Sequence, residues 1–250
     1  MANSQAKKRI LVLVEGERMD VRLMKRLFRI YDMDAEYEVI SYNTNIYVLY
    51  DDMFLDGEPD AMDLVQVLKM RERDPTVRKL LDDQYTDVLL IFDLDPQDGR
   101  FSEEKILAMI RYFSESSDMG KLYINYPMVE AFYHMKSIPD PDYYSRIVSF
   151  EELRAGKYKA RVNAENRNRN YSKFAVDRHE CNVVIAQNLE KAWLLTGAAP
   201  RDAEDRVSGL NREHILEEQL ILMEEQQIIS VLCTCVFFIP EYNPRLIETT

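Results

Sequence analysis

The chain has 250 residues, 46% of them hydrophobic and 30% charged, with no Gly-, Ser- or Gln-rich tract, which excludes a disordered chain and leaves room for a substantial core. No apolar run approaches the ~20 residues that a membrane span requires. A formal charge of −12 argues against unaided binding to a long phosphate backbone, so a nucleic-acid substrate would need local basic patches or a partner subunit to supply the grip.

The amino terminus, "MANSQAKKRI", carries a short basic patch, and charge interrupts the following apolar run too early for a signal peptide, so a cytoplasmic protein is expected. Residues Arg9–Val14, "RILVLV", read as a strand, and the spacing of Val21, Met24, Leu27, Phe28 and Tyr31 after "EGERMD" predicts a helix. "YEVISY" (Tyr37–Tyr42) reads as a second strand and "NIYVLYDDMF" as a helix capped by Asn43 or Thr44. Two further helical patterns break at Pro75. The strand "DVLLIF" follows, then a helix with Ser102 as its cap, a fourth strand "GKLYINYP", and a helix "MVEAFYHMKS" beginning after Pro127. Strands alternating with helices predict a Rossmann-like α/β core with a mostly parallel sheet flanked by helices. That core is expected over residues 1–138. A Pro-rich connector, "IPDPDYY", then leads into a mainly helical extension, 139–250.

In such a sheet functional groups collect at the carboxyl ends of the strands. Glu15, Asp93 and Asp95 all fall at such ends, and Glu130 lies just beyond another. Like charges brought together destabilise one another unless something positive sits among them, and a hard divalent ion such as Mg²⁺ takes carboxylate oxygens and water as ligands. Gly16, directly after Glu15, would let the backbone turn sharply and a ligand approach. An isolated Asp-x-Asp reads equally as a strand-end turn, Asp98 and Gly99 as a turn only, and Glu17 and Asp20 as first-turn helix charges. His134, four residues after Glu130, would share its side of a helix, as a phosphate contact or proton carrier or as a hydrogen-bonded structural histidine.

The Glu-Gly after the first strand, "VLVEGERMD", and the Asp-x-Asp after a later one, "IFDLD", together resemble the TOPRIM domain of topoisomerases, primases and OLD-family nucleases. "INYPMVEAFYH", with Asn125, Pro127, Glu130 and His134, is similar to a block of the RloB-like branch and of small TOPRIM effectors of anti-phage systems such as PARIS. The resemblance covers roughly residues 8–136; it departs from the RloB-like pattern at Met19 and Asp20 and at Tyr126, which separates Asn125 from Pro127. It implies that Glu15 is a metal ligand or general acid/base, that Asp93 and Asp95 bind Mg²⁺, with Mn²⁺ an alternative, and that Glu130 serves a second ion. It further implies a nuclease acting on DNA or on RNA, tRNA included, held or delivered by a separate ATPase subunit in phage defence. The chain has no P-loop of its own. The rival readings are a non-catalytic module holding a regulatory Mg²⁺ and an adaptor whose acid cluster is degenerate.

The most basic stretch, Arg154–Lys173, sets Lys157, Lys159, Arg161, Arg167, Arg169 and Lys173 among Tyr158 and Tyr171, a mixture suited to phosphate contact and base stacking, or else a solvated helix face or loop. Cys181, Cys233 and Cys235 have neither a disulfide nor a zinc spacing, and His179 and His214 have no metal-ligand spacing. The amphipathic stretch "NREHILEEQLILMEEQQ" is expected to pack on the protein or to dock on a partner, and "IISVLCTCVFFIP" to be a buried terminal element. Oligomeric state is left open.

Overall fold

Strand β1 (Ile10–Val14) is buried at all five positions, the pattern of a strand covered on both faces. It runs parallel to β2 (Tyr37–Ser41) on one side and to β5 (Asp87–Asp93) on the other. With β6 (Lys121–Asn125) the order is β2-β1-β5-β6. In this computed structural model, residues 9–33, 37–55, 58–59, 63–116, 120–201 and 205–246 are described; Lys7 and Lys8 of the basic amino-terminal patch lie outside them.

Helix α1 (Met19–Ile30) buries Met24, Leu27 and Phe28 of the predicted stripe, with Tyr31 buried at its C-cap, and adds Leu23, while Val21 is only half-buried; Phe28 stacks on Tyr37 of β2 at 4.1 Å. Each such side chain contributes about 1.5–3 kcal/mol of burial. Helix α2 (Ile46–Met53) is capped by Asn45, whose side chain accepts from the Val48 N–H, rather than by Asn43 or Thr44. The two-residue strands β3 (Phe54–Leu55) and β4 (Glu58–Pro59) pair antiparallel. Then come α3 (Leu64–Arg71) and α4 (Pro75–Leu80), each opened by an Asp cap, and α5 (Glu103–Tyr112) between β5 and β6. An α/β fold with helices flanking a parallel sheet is thus established.

The chain forms two compact units, divided elsewhere than at the expected break near residue 138. One comprises the residues up to Phe92 plus Glu104–Tyr123; the other comprises Asp93–Glu103 plus everything from Ile124 onward. The last residues of β5 and β6 therefore fall in the second unit. The reason is hydrogen bonding to the carboxyl-terminal segment: Thr234 Oγ1 donates to Ile124 O, Tyr126 and Leu232 exchange backbone bonds at 2.8 and 2.9 Å, and Asn125 Oδ1 accepts from the Cys235 N–H.

The second unit is mainly helical: α6 (Phe150–Arg154), α7 (Tyr158–Glu165), α8 (Arg178–Leu195), α9 (Asp205–Ser208), α10 (Arg212–Gln226) and α11 (Phe238–Tyr242). It also holds an antiparallel pair, β7 (Ile147–Ser149) with β8 (Ile228–Ser230). Helix α10 packs on β8 and α8 and buries Leu216, Leu220 and Met223, and Ile229–Ile239 are buried, as the sequence suggests. Among the described residues no helix is long and apolar enough to cross a membrane.

Candidate functional site

Asp93 ends β5 and is 8% exposed. Its Oδ1 accepts from the Val129 N–H at 2.8 Å and the Asn125 amide at 3.3 Å, which fixes the carboxylate's orientation. Asn125 is itself held from behind, its Oδ1 accepting from the Cys235 N–H and lying 3.6 Å from Cys233 Sγ. The three buried cysteines are core side chains, with Cys233 and Cys235 sulfurs 3.3 Å apart.

The next two residues hang from the segment after β6: the Leu94 N–H donates to Asn125 O and Pro127 O, and the Asp95 N–H to Pro127 O. Asp95 sits in the left-handed region (φ +39) and its Oδ1 accepts from the Gln97 amide. Burial raises the Asp95 carboxyl above its ordinary value; Gln97 and Lys159 oppose that rise, and Glu130 adds to it. Asp98 makes a turn, its Oδ1 accepting from the Arg100 N–H.

Glu130 does not lie on an α-helix. The segment Val129–Tyr133 is a single 3₁₀ stretch, with His134 as its C-cap, so the four-residue spacing of Glu130 and His134 does not set them on one α-helical face. Glu130 is 1% exposed; its Oε1 lies 3.1 Å from Lys159 Nζ, and its Oε2 is buried with no hydrogen-bond partner among the described residues. Lys159 comes from α7 and its side chain is 66% exposed. Burial lowers its pKa, but Glu130 first and then Asp93 and Asp95 outweigh that and raise it. One ammonium thus faces three carboxylates, a role that its place in a basic run conceals in the sequence.

His134 is fully buried. Its Nδ1 lies 3.2 Å from the Tyr158 hydroxyl and its Nε2 3.2 Å from Glu165 Oε2, a pair that a neutral ring protonated at Nε2 satisfies. Burial, and then Arg146 and other cations, push its pKa down to about 2. These contacts are those of a hydrogen-bonded, neutral histidine, and the lowered pKa disfavours its protonation near neutral pH. The surrounding network escaped the sequence reading: Arg146, 8% exposed at its side chain, bridges Asp140 Oδ2 at 2.7 Å and Glu165 Oε2 at 2.6 Å.

The basic run divides. Arg167 makes a bidentate pair with Glu180, and Arg161 is held by Glu152 and by Ile147 O. Lys157, Arg169 and Lys173 are exposed, and Tyr171 stacks on Tyr133 at 4.3 Å.

Glu15 belongs to the first unit. It leaves β1 with its N–H donating to Ile91 O and its carbonyl accepting from the Asn43 N–H. At Gly16 a Cβ would meet Asp20 Oδ2 at 2.5 Å, so the glycine admits a buried carboxylate of α1 rather than a turn. The Gly-x-x-x-Asp spacing was the available signal.

The donors of the second unit are hard oxygens, and the buried Glu130 Oε2 is an oxygen in want of a partner, so the set fits a divalent cation in kind. As the side chains stand, no group of three or more His, Cys, Asp or Glu among the described residues is gathered to hold an ion; Lys159 supplies the positive charge. Comparison with protein-family models, with curated proteins and with solved structures finds no match.

Proposed function

We propose that the chain is a divalent-metal-dependent phosphodiester hydrolase of the TOPRIM kind, cutting DNA or RNA, tRNA included, as the cytoplasmic effector of an anti-phage system with a separate ATPase partner. The observation that carries this is Glu130: a buried carboxylate with one oxygen unpartnered costs free energy that a bound cation would recover. Asp93, Asp95 and Glu130 would hold Mg²⁺ or Mn²⁺, and Glu15 is carried by the resemblance to TOPRIM domains. The ion would polarise a phosphoryl oxygen and lower the pKa of a bound water. The chain's own groups have separate tasks. Asn125 and the Val129 N–H hold Asp93 in one orientation. Gln97 holds Asp95, and Lys159, with most of its side chain in water, can turn from Glu130 to a phosphate. Lys157, Arg169 and Lys173 offer exposed charge for the strand.

A second reading has its own support. Because Lys159 already offsets part of the cluster's charge, the carboxylates could be a structural ion network in an adaptor or binding module. Incubating plasmid DNA, single-stranded DNA and total tRNA with the purified chain, in Mg²⁺, Mn²⁺ or EDTA, separates the two. Cleavage that needs metal and is lost in Glu15→Ala and in Asp93→Asn/Asp95→Asn supports the hydrolase. Absence of cleavage with the chain alone and with its co-purified genomic neighbours supports the adaptor.

A further inference from the structure

A second site stands apart from the carboxylates, wholly within the first unit. A cavity of about 230 Å³ is lined by Leu13, Ile40, Leu68 and Leu81 below and by Tyr42, Asn43, Arg71, Arg73 and the acidic Glu72 at its mouth, Glu72 Oε1 being held by the Asp74 N–H at 2.7 Å. The four aliphatic residues are each under 7% exposed, so the floor is apolar. The volume exceeds the ~150 Å³ of an engineered cavity that takes benzene and falls short of the ~300 Å³ at which drug-sized pockets begin, which suits one planar ring with a substituent outside.

The mouth is built to hold its shape. Tyr42 donates its hydroxyl to Asp52 Oδ2 at 2.7 Å, sets its ring edge-on to Phe92 at 5.9 Å, and lies under the Arg71 guanidinium at 5.7 Å. Arg71 meets Asp52 through Nε and Nη2, which leaves the Nη1 donors without a partner among the described residues. Arg73 is exposed and has no hydrogen-bond or ion-pair partner among them. Asn43 sits in the left-handed region (φ +60), its Oδ1 accepting from Ser41 Oγ.

An apolar slot, an amide edge and two guanidinium groups at the carboxyl end of β2 together match one ligand chemistry. We propose that the cavity binds a nucleoside monophosphate group, its base in the aliphatic slot against Tyr42 and edge-read by Asn43, its phosphate between Arg71 and Arg73. Open α/β sheets take ligands beyond the carboxyl ends of their strands, and Arg pairs suit phosphate through charge-assisted bonds. The group could be a free mononucleotide or one nucleotide of a strand. The inference does not depend on the carboxylate cluster and would stand if that cluster held no metal.

Isothermal titration of the full chain in EDTA tests it, with the four 5′-mononucleotides, a nucleoside, inorganic phosphate and a short single-stranded oligonucleotide as probes. The expected result is saturable mononucleotide binding, tighter than nucleoside or phosphate, weakened about tenfold by Arg73→Ala while the nucleoside is unaffected. Asn43→Gly, which suits the left-handed backbone, should flatten the preference among bases about fivefold. Arg73 and Asn43 are exposed, so neither change threatens the fold. Binding of the oligonucleotide alone, with the same sensitivity to Arg73→Ala, would place the nucleotide in a strand. Absence of binding by both probes up to about 1 mM, inorganic phosphate binding as tightly as the nucleotide, or indifference to Arg73→Ala would overturn the proposal.

Discussion

Replacing Lys159 by Met keeps the aliphatic stem and removes the charge that faces three carboxylates. Glu130 is then left buried with both oxygens lacking the ammonium, beside an Asp95 carboxyl already raised by burial. Stripping one partner from a fully buried ion pair costs ~3–5 kcal/mol, while an exposed pair is worth ~0–1 kcal/mol. With side chains 66% and 2% exposed the Lys159–Glu130 pair lies between these, so a loss of about 1–2 kcal/mol at neutral pH is expected. At about 2–4 °C per kcal/mol for a chain of this size, Tm should fall by roughly 2–8 °C. The loss should depend on pH. Lys159 holds the Asp95 carboxyl down, so in the variant that carboxyl rises further and binds a proton where wild type does not. The gap between the two proteins therefore narrows as pH falls to the ordinary carboxylate range and is widest above it. Thermal unfolding in EDTA at about pH 7.5 and about pH 4.5 measures this. Mg²⁺ should then stabilise Lys159→Met more than wild type, because ion and ammonium compete for the same oxygens; ligand at about 100 times Kd adds ~2.7 kcal/mol. A variant as stable as wild type, or a loss equal at both pH values, refutes the electrostatic account, and equal stabilisation of both proteins by Mg²⁺ refutes the exchange.

Asp95→Asn should be at least as stable as wild type at neutral pH. Because the folded carboxyl titrates above its ordinary 3.8, native stability is lost as pH rises through the raised value, and the Asn variant should show a flatter profile between about pH 4 and pH 7 in urea titrations. Arg146→Met leaves Asp140, 2% exposed at its side chain, and Glu165 without their shared cation and should cost about 3–5 kcal/mol by denaturant unfolding; a loss under ~1 kcal/mol would show that the network relaxes around the gap. His134→Gln should not remove any limb of the pH–rate profile near the ordinary histidine range, since the folded imidazole titrates near 2; a limb that vanishes in the variant would return His134 to the chemistry.

The strands were legible because their apolar runs end where charge begins, as at Val14–Glu15 and Phe92–Asp93. Helices such as α1 announced themselves by spacing, and the flanked parallel sheet followed from their alternation. The segment after Pro127 misled: its apolar residues fit a helical period, yet after one 3₁₀ stretch the backbone goes its own way with Asn166 donating to Tyr133 O. The division of the chain was not legible, since Leu232–Cys235 and Ile124–Tyr126 meet across more than a hundred residues through bonds that each have a backbone group on at least one side, which carries no sequence signature. The basic run was visible as composition only. Which of its cations had acids of their own, as Arg161 has Glu152 and Arg167 has Glu180, depends on how α6, α7 and α8 pack.

That long-range stitching also sets an order of events during synthesis. Asp93 leaves the ribosome long before Cys235, yet Asn125, which orients Asp93, is pinned by the Cys235 N–H, and Tyr126 pairs with Leu232. The acidic cluster can take its final form only after Cys235 has emerged, since non-local pairings wait for their partners. A nascent chain that has not yet released Leu232–Cys235 would carry the carboxylates without the frame that aims them.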